Sequence, residues 1–294
     1  MQGSSRNVRL NSGTLMPQIG FGVFRIPSEN TERAVHRAIE CGYRSIDTAS
    51  LYGNEAAVGR AVASCGLSRQ EIFVTTKLWN DGQGYASAFR KFDASLNRLN
   101  MEYVDLYLIH WPKPAQDLYV ETWTALERLF ADGRARSIGV SNFQIHHLER
   151  LLAETSVVPA VNQIELHPLF QQEPLRIFHS TNGIVTEAWS PLGQGQVLSD
   201  PTITALAERH SRTPAQIVLR WHLQLGNAVI PKSVNPLRIR QNITDLDFEL
   251  SQAEMVDLGR LDSSHRLGPD PDGIDNQPKP GFASKEGQWV ESAS

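Results

Sequence analysis

The chain has 294 residues, 40% of them hydrophobic and 20% charged, with a formal net charge of −4. That is apolar material for one large core, while the acidic balance and the lack of any Lys/Arg cluster exclude a surface built for nucleic acid or for an anionic membrane. The polar start MQGSSRNVRLNSG has no apolar stretch of the secretory kind, and no uninterrupted apolar run approaches the ~18 residues of a membrane span. We therefore expect a cytoplasmic protein, with Cys41 and Cys65 serving as small packing residues rather than as a disulfide.

In chain order, VRLNSGTLMPQIG reads as two short strands around Asn11-Ser12-Gly13, a hairpin able to plug the bottom of a barrel. Eight β-rich segments follow: MPQIGFGVF (16–24), YRSIDT (43–48), EIFVTTK (71–77), VDLYLIH (104–110), RSIGVSN (136–142), AVNQIE (160–165), GIVTEAWS (183–190) and NAVIPKS (227–233). Helical patterns separate them. In SAFRKFDASLNRL, Phe89, Phe92, Leu96 and Leu99 recur at helical spacing, and Gly42, Gly66, Gly133, Gly183 and Gly226 stand where helices close.

Eight β/α alternations in about 250 residues predict a closed (β/α)8 TIM barrel, and strands buried on both faces account for runs such as VDLYLI. The competing fold is an open doubly wound sheet. Against it, the first turn, IGFGVFR, has Arg25 where a dinucleotide fingerprint needs its third glycine. From 262 onward the composition changes to HRLGPDPDGIDNQPKPGF, so 262–294 reads as a C-terminal loop and tail with its last dozen residues disordered. The whole chain, 1–294, reads as a single barrel domain.

The strand ends carry the chemistry: Asp47, Lys77, His110, Ser141 with Asn142, Gln163 with Glu165, Trp189 with Ser190, and Lys232 with Ser233. In a barrel these ends converge on one face. A lone polar residue there is ordinarily the start of a loop; seven strands in succession ending this way point to a site. Asp47 directly follows Ile46, and an unpaired buried carboxylate costs several kcal/mol on the order of known desolvation penalties. Lys77, on the next strand, is the expected partner.

Tyr52 follows in the next loop. A phenol with an ordinary pKa near ~10 is a poor acid, but an adjacent ammonium favours phenolate and lowers that value. We expect Lys77 to do this, Asp47 to hold Lys77, and a neutral His110 to hydrogen-bond a substrate oxygen or help relay its proton. Such a set is suited to protonating a carbonyl. Phe21, Val23, Trp79 and Trp111 flank it as the expected apolar substrate wall. His146, His147 and His167 lack a metal-ligand pattern and are read as surface or packing residues, with no metal expected. Lys232, Ser233 and Arg238 place two cations and a hydroxyl within seven residues, a good nest for a phosphate monoester.

The motifs GYRSIDTASLYGNE, TTKLWN, LYLIHWP, IGVSNF, NQIELHP, AWSPLGQG and IPKSVNPLRIRQN resemble, in order and across nearly the whole chain, those of the aldo-keto reductases, and within them the bacterial group similar to 2,5-diketo-D-gluconate reductase. The resemblance implies a barrel that binds NADPH without a Rossmann fold, a tetrad of Asp47, Tyr52, Lys77 and His110, and a small-molecule carbonyl substrate. It makes Ser141, Asn142 and Gln163 partners of the nicotinamide carboxamide and puts Trp189 against the ring. Ser190, Leu192, Gly193 and Gln194 would lie over the pyrophosphate. Lys232, Ser233, Val234 and Arg238 would hold the 2′-phosphate, with Arg240 as an alternative, and Gln241 and Asn242 would approach adenine. A monomer is expected. Two other readings stand beside this one: an NADPH-binding regulatory or redox-sensing barrel without steady turnover, and a Schiff-base aldolase with Lys77 as nucleophile.

Overall fold

A computed structural model describes residues 7–274. The expected disorder of the last dozen residues lies outside that range. An antiparallel hairpin, β1 (Asn7–Arg9) and β2 (Leu15–Pro17), turns at Asn11-Ser12-Gly13 and precedes eight parallel strands. These are β3 (Phe21–Gly22), β4 (Ser45–Asp47), β5 (Phe73–Leu78), β6 (Leu106–Ile109), β7 (Ile138–Ser141), β8 (Val161–Glu165), β9 (Val185–Trp189) and β10 (Ala228–Val229), hydrogen-bonded in sequence order. A parallel bridge between Ile19 and Val229 joins the first strand to the last, with Gly20 N–H donating to the Val229 carbonyl at 2.8 Å and Val229 N–H to that of Gln18 at 2.9 Å. The sheet thus closes on itself as a (β/α)8 barrel.

The outer layer is α1 (Ser28–Glu40), α2 (Glu55–Ser64), α3 (Tyr85–Leu99), α4 (Tyr119–Ala131), α5 (Ile145–Glu154), α6 (Glu173–Thr181), α7 (Pro201–His210), α8 (Pro214–Gln224), α9 (Pro236–Gln241) and α10 (Gln252–Gly259). Local chemistry starts several of them. Asp200 Oδ1 accepts from Thr202 N–H ahead of α7, and reciprocal boxes form between Thr213 and Gln216 at α8 and between Ser251 and Glu254 at α10. Helix α10 is absent from the sequence expectations; its box, S-x-x-E, was its signal. The stripe of α3 buries Phe92, Leu96 and Leu99 fully and Phe89 partly.

Which end of the barrel is open follows from the hairpin. Leu10 and Met16, both sealed, cluster with Phe73, Leu106, Val161 and Ala228, which are the first residues of their strands or lie beside them. That apolar plug closes the N-terminal end and leaves chemistry to the C-terminal ends. Cys41 and Cys65 are free thiols packed against the core. Among the described residues no helix is long and apolar enough to cross a membrane.

Candidate active site

At the C-terminal mouth, Lys77 on β5 is fully buried, and its ammonium donates to Asp47 Oδ1 at 2.6 Å, the Thr48 carbonyl at 2.9 Å and the Tyr52 hydroxyl at 3.5 Å. Burial alone would pull Lys77 down, but Asp47 and Tyr52 raise it above its ordinary value, so it stays charged at neutral pH. Tyr52 sits in a short 3-10 turn (Ser50–Tyr52) that follows β4, which sets its ring over Lys77 at 5.2 Å. Its phenol departs from expectation. Burial pushes it up to about 12; Lys77 pulls the other way, and Asp47 adds to the rise. The phenol therefore keeps its proton at neutral pH.

His110 stands edge-on to Tyr52 at 5.7 Å and to Trp79 at 5.1 Å between ring centres. Burial first, then Lys77, hold its imidazole well below the ordinary histidine range, so it is neutral. Its Nδ1 has no hydrogen-bond partner among the described residues. The four expected tetrad residues thus meet in one place, with one charged ammonium, one neutral imidazole and one protonated phenol.

Ser141, Asn142 and Gln163 are brought together beside them. Ser141 Oγ donates to the Gln163 carbonyl at 2.8 Å, and Asn142 Nδ2 donates to the His110 carbonyl and to Ser141 Oγ, each at 3.0 Å. Asn142 Oδ1 in turn accepts from the Trp189 indole at 2.8 Å, fixing the ring's tilt. Beyond Trp189 the chain turns repeatedly through left-handed conformations at Ser190, Gly193, Gln194 and Gly195. A Cβ on Gly193 would stand 2.8 Å from Val197, so glycine is required there.

On the far side, Lys232, Val234 and Arg238 are exposed, Ser233 and Gln241 half-buried, and Asn242 largely buried. Asn235 caps α9 through Oδ1, accepting from Leu237 N–H at 2.9 Å and Arg238 N–H at 3.3 Å. Arg25 also belongs here, a residue that sequence reasoning noted only as a missing glycine. It takes a left-handed conformation, φ +57°, and partial desolvation of the Lys232 ammonium, then the Arg25 charge, lower Lys232 although much of its side chain is exposed. Both line a cavity of about 760 Å³ between α1 and α9, whose other walls include Val234 and Pro236. Neither Arg25, Lys232 nor Arg238 has a carboxylate partner among the described residues. Unpaired cations gathered at a cavity fit an anionic ligand.

The substrate wall needs correction. Phe21 and Val23 are sealed in the core, the Phe21 ring packing edge-on to Tyr43 at 5.5 Å, and so have no surface for a substrate. Phe24, one residue further, is 41% exposed with its ring 4.9 Å from Tyr52. Trp79 is half-buried at the rim, and Trp111 is mostly buried. The tail lies against the same rim: Glu165 accepts from Leu267 N–H at 2.6 Å and Gly268 N–H at 2.9 Å, pinning it beside Trp189. Burial would raise Glu165, but His167 and these amides bring it below its ordinary value.

His167 and His147 are buried and His146 is exposed. His146 and His147 converge on Asp272, at 3.2 and 3.4 Å. His147 Nδ1 accepts from Gln144 N–H at 3.1 Å, so the neutral ring carries its proton on Nε2 and turns a hydrogen, not a lone pair, towards that carboxylate.

A family model described as Aldo/keto reductase family matches residues 13–263. An aldo-keto reductase of Mycolicibacterium smegmatis is 55% identical over 267 residues, covering 91% of this chain and 97% of its own. Methylglyoxal reductase DkgA of Salmonella typhimurium is 50% identical, covering 90% and 96%. The crystal structure of a Gox0644 mutant in complex with NADPH superposes with a TM-score of 0.89 at 51% identity, covering 94% of this chain and all of that one. With its barrel, its tetrad and these likenesses, the chain belongs to the aldo/keto reductase family.

Proposed function

We propose that the protein reduces aldehydes and ketones to alcohols with NADPH, and that Tyr52 supplies the proton to the carbonyl oxygen. The observation that carries this reading is the sealed Lys77 ammonium, held by Asp47 and directed at the Tyr52 hydroxyl. When bound, NADPH supplies a hydride from its nicotinamide. Tyr52 donates its hydrogen to the substrate oxygen, Lys77 stabilises the phenolate left behind, and neutral His110 orients the oxygen for that transfer. Phe24, Trp79 and the tail at Gly268 wall the substrate from water.

Ser141, Asn142 and Gln163 offer amide and hydroxyl groups to a carboxamide, Trp189 offers a ring, and the left-handed loop 190–195 leaves room for a pyrophosphate. Lys232, Ser233 and Arg238, joined by Arg25, fit the 2′-phosphate. A Schiff-base role for Lys77 is disfavoured because its raised pKa leaves no lone pair at neutral pH. Free cysteines support a cytoplasmic setting, and we read the protein as a monomer, which light scattering tests.

The test is NADPH oxidation, followed by absorbance, on aldehydes, α-keto esters, diketones and keto-sugars. Wild type should turn over at least one class. Tyr52→Phe should lose nearly all turnover and still quench in fluorescence titration with NADPH close to wild type. Retention of most turnover in Tyr52→Phe overturns its role as the acid.

A further inference from the structure

Beneath the tetrad lies a carboxyl that the proposed chemistry does not use. Glu187, on β9, is 2% exposed and sits in register with Gln163 of β8 on one side and Ala228 of β10 on the other. Gln163 Nε2 donates to Asp47 Oδ2 at 2.8 Å and to Glu187 Oε2 at 2.7 Å. An amide nitrogen has two hydrogens, and both are now spent. Gln163 Oε1 accepts from none of the described residues and is not among their buried unpartnered atoms. The two carboxyl groups fix the amide's orientation and leave its oxygen as the acceptor.

The charge balance is equally specific. Lys77 is paired with Asp47 and reaches Glu187 only as a nearby charge, so two buried carboxyls face one ammonium, while Ala228 on the remaining side is apolar. Burial and the Asp47 charge push Glu187 up to about 7, against the opposing pull of Gln163 and Lys77. With one ammonium for two buried carboxyls, a second negative charge is costly here, so Glu187 takes up a proton more readily than an exposed carboxyl.

We propose that Glu187 is a positioning residue for the nicotinamide: with Asp47 it holds both amide hydrogens of Gln163, leaving Oε1 for the cofactor's carboxamide, and its charge tilts the site between oxidised and reduced cofactor. This rests on the cofactor reading above. The oxidised ring is a cation and the reduced ring is neutral. Ionised Glu187 therefore favours NADP⁺, and a neutral ring covering the cluster favours protonated Glu187. As pH rises through the titration, NADPH binding weakens relative to NADP⁺ binding.

The experiment is fluorescence or calorimetric titration of NADPH and NADP⁺ into wild type and Glu187→Gln across about pH 6 to about pH 8. The ratio Kd(NADPH)/Kd(NADP⁺) is read because ionisation of the 2′-phosphate, common to both, cancels. In wild type the ratio should rise by about tenfold, which is one unit of differential protonation. Glu187→Gln keeps an acceptor for the Gln163 amide, so it should bind NADPH within a few-fold of wild type and show a flat ratio. Glu187→Leu should weaken both cofactors by about tenfold. Independently, infrared difference spectra of wild type without cofactor should show a protonated carboxyl band titrating near neutral pH, so the inference stays testable if a variant fails to fold. A flat wild-type ratio or no such band overturns it. Failure of wild type to bind either cofactor would instead overturn the cofactor reading itself.

Discussion

Lys77 Nζ stands 2.6 Å from Asp47 Oδ1, with their side chains 0% and 3% exposed. Neither charge has water to fall back on. Truncating one member of such a pair leaves the other buried and uncompensated, at a cost of ~3–5 kcal/mol. Lys77→Met should thus lose carbonyl reduction and unfold at markedly lower urea or temperature. Asp47→Asn in the same background should restore part of that stability but none of the activity. A Lys77→Met protein as stable as wild type at pH 7 would mean that Asp47 is compensated by Gln163 alone.

Much of this site was legible because its logic is one-dimensional. A barrel strand buried on both faces reads as an apolar run, and the residue that breaks the run, such as Asp47 after Ile46 or His110 after Ile109, stands at the mouth whatever the loops do. What escaped depends on backbone conformation. Phe21 and Val23 are expected at the pocket, but it is Phe24 that reaches Tyr52, and Arg25, at a positive φ, lines the same cavity as Lys232. The direction of the Tyr52 shift escaped for a related reason. Charges can be read from neighbours in the sequence, but burial, which wins here, depends on how the walls close. Glu187 lay in plain view one position before Ala188 in β9, with no sequence signal to separate it from an outward-facing strand residue.

The tail bears on Trp189 through a position that only glycine fills. A Cβ on Gly268 would come within 2.4 Å of the Trp189 indole and 2.9 Å of Glu165 Oε2. The indole cannot simply swing away, because Asn142 holds its N–H. Gly268→Ala should therefore lift the tail, weaken its two amide bonds to Glu165 and shift tryptophan emission. We expect faster proteolytic clipping near the tail and a fall in kcat/KM of about tenfold, equivalent to ~1.4 kcal/mol. Unchanged clipping and unchanged emission would show that the tail does not rest on Trp189.

Acid should unfold the protein through its buried imidazoles. Burial holds His179 at about 3, His222 at about 3 and His147 at about 4. The unfolded chain takes up protons near ~6.5 that the folded one refuses, so this stability is full above that value and is lost as pH falls towards the folded values. For His179 the reason is visible: Asn162 Nδ2 approaches its Nε2 at 2.9 Å, and a proton there would set N–H against N–H. The thermal midpoint should drop by on the order of 10 °C between neutral pH and about pH 4, each kcal/mol being worth ~2–4 °C in a chain of this size. In His179→Gln the drop should be smaller. An identical drop in the variant would assign acid sensitivity to other groups.

Cofactor preference should reside in a few cations. Arg25 and Lys232 line the groove beside α9, the helix that carries Arg238; none of the three has a carboxylate partner among the described residues, and Arg25 already weighs on Lys232. An anion placed there relieves that repulsion as well as gaining its own contacts. Charge-assisted hydrogen bonds contribute roughly 1.5–3 kcal/mol each, so NADH, which lacks the 2′-phosphate, should bind about ten- to hundred-fold more weakly than NADPH. Arg238→Ala should weaken NADPH far more than NADH and draw the two cofactors together. Because Arg238 and Lys232 are exposed, salt should shrink the NADPH advantage in wild type and leave little for it to shrink in the variant. Arg25→Ala separates contact from repulsion: if Arg25 touches the phosphate, NADPH weakens; if it only crowds Lys232, NADPH binding holds or tightens. The measurement is fluorescence titration of both cofactors into wild type and each variant at low and high salt. Equal losses for NADPH and NADH in Arg238→Ala would make that residue structural and put the 2′-phosphate on other groups.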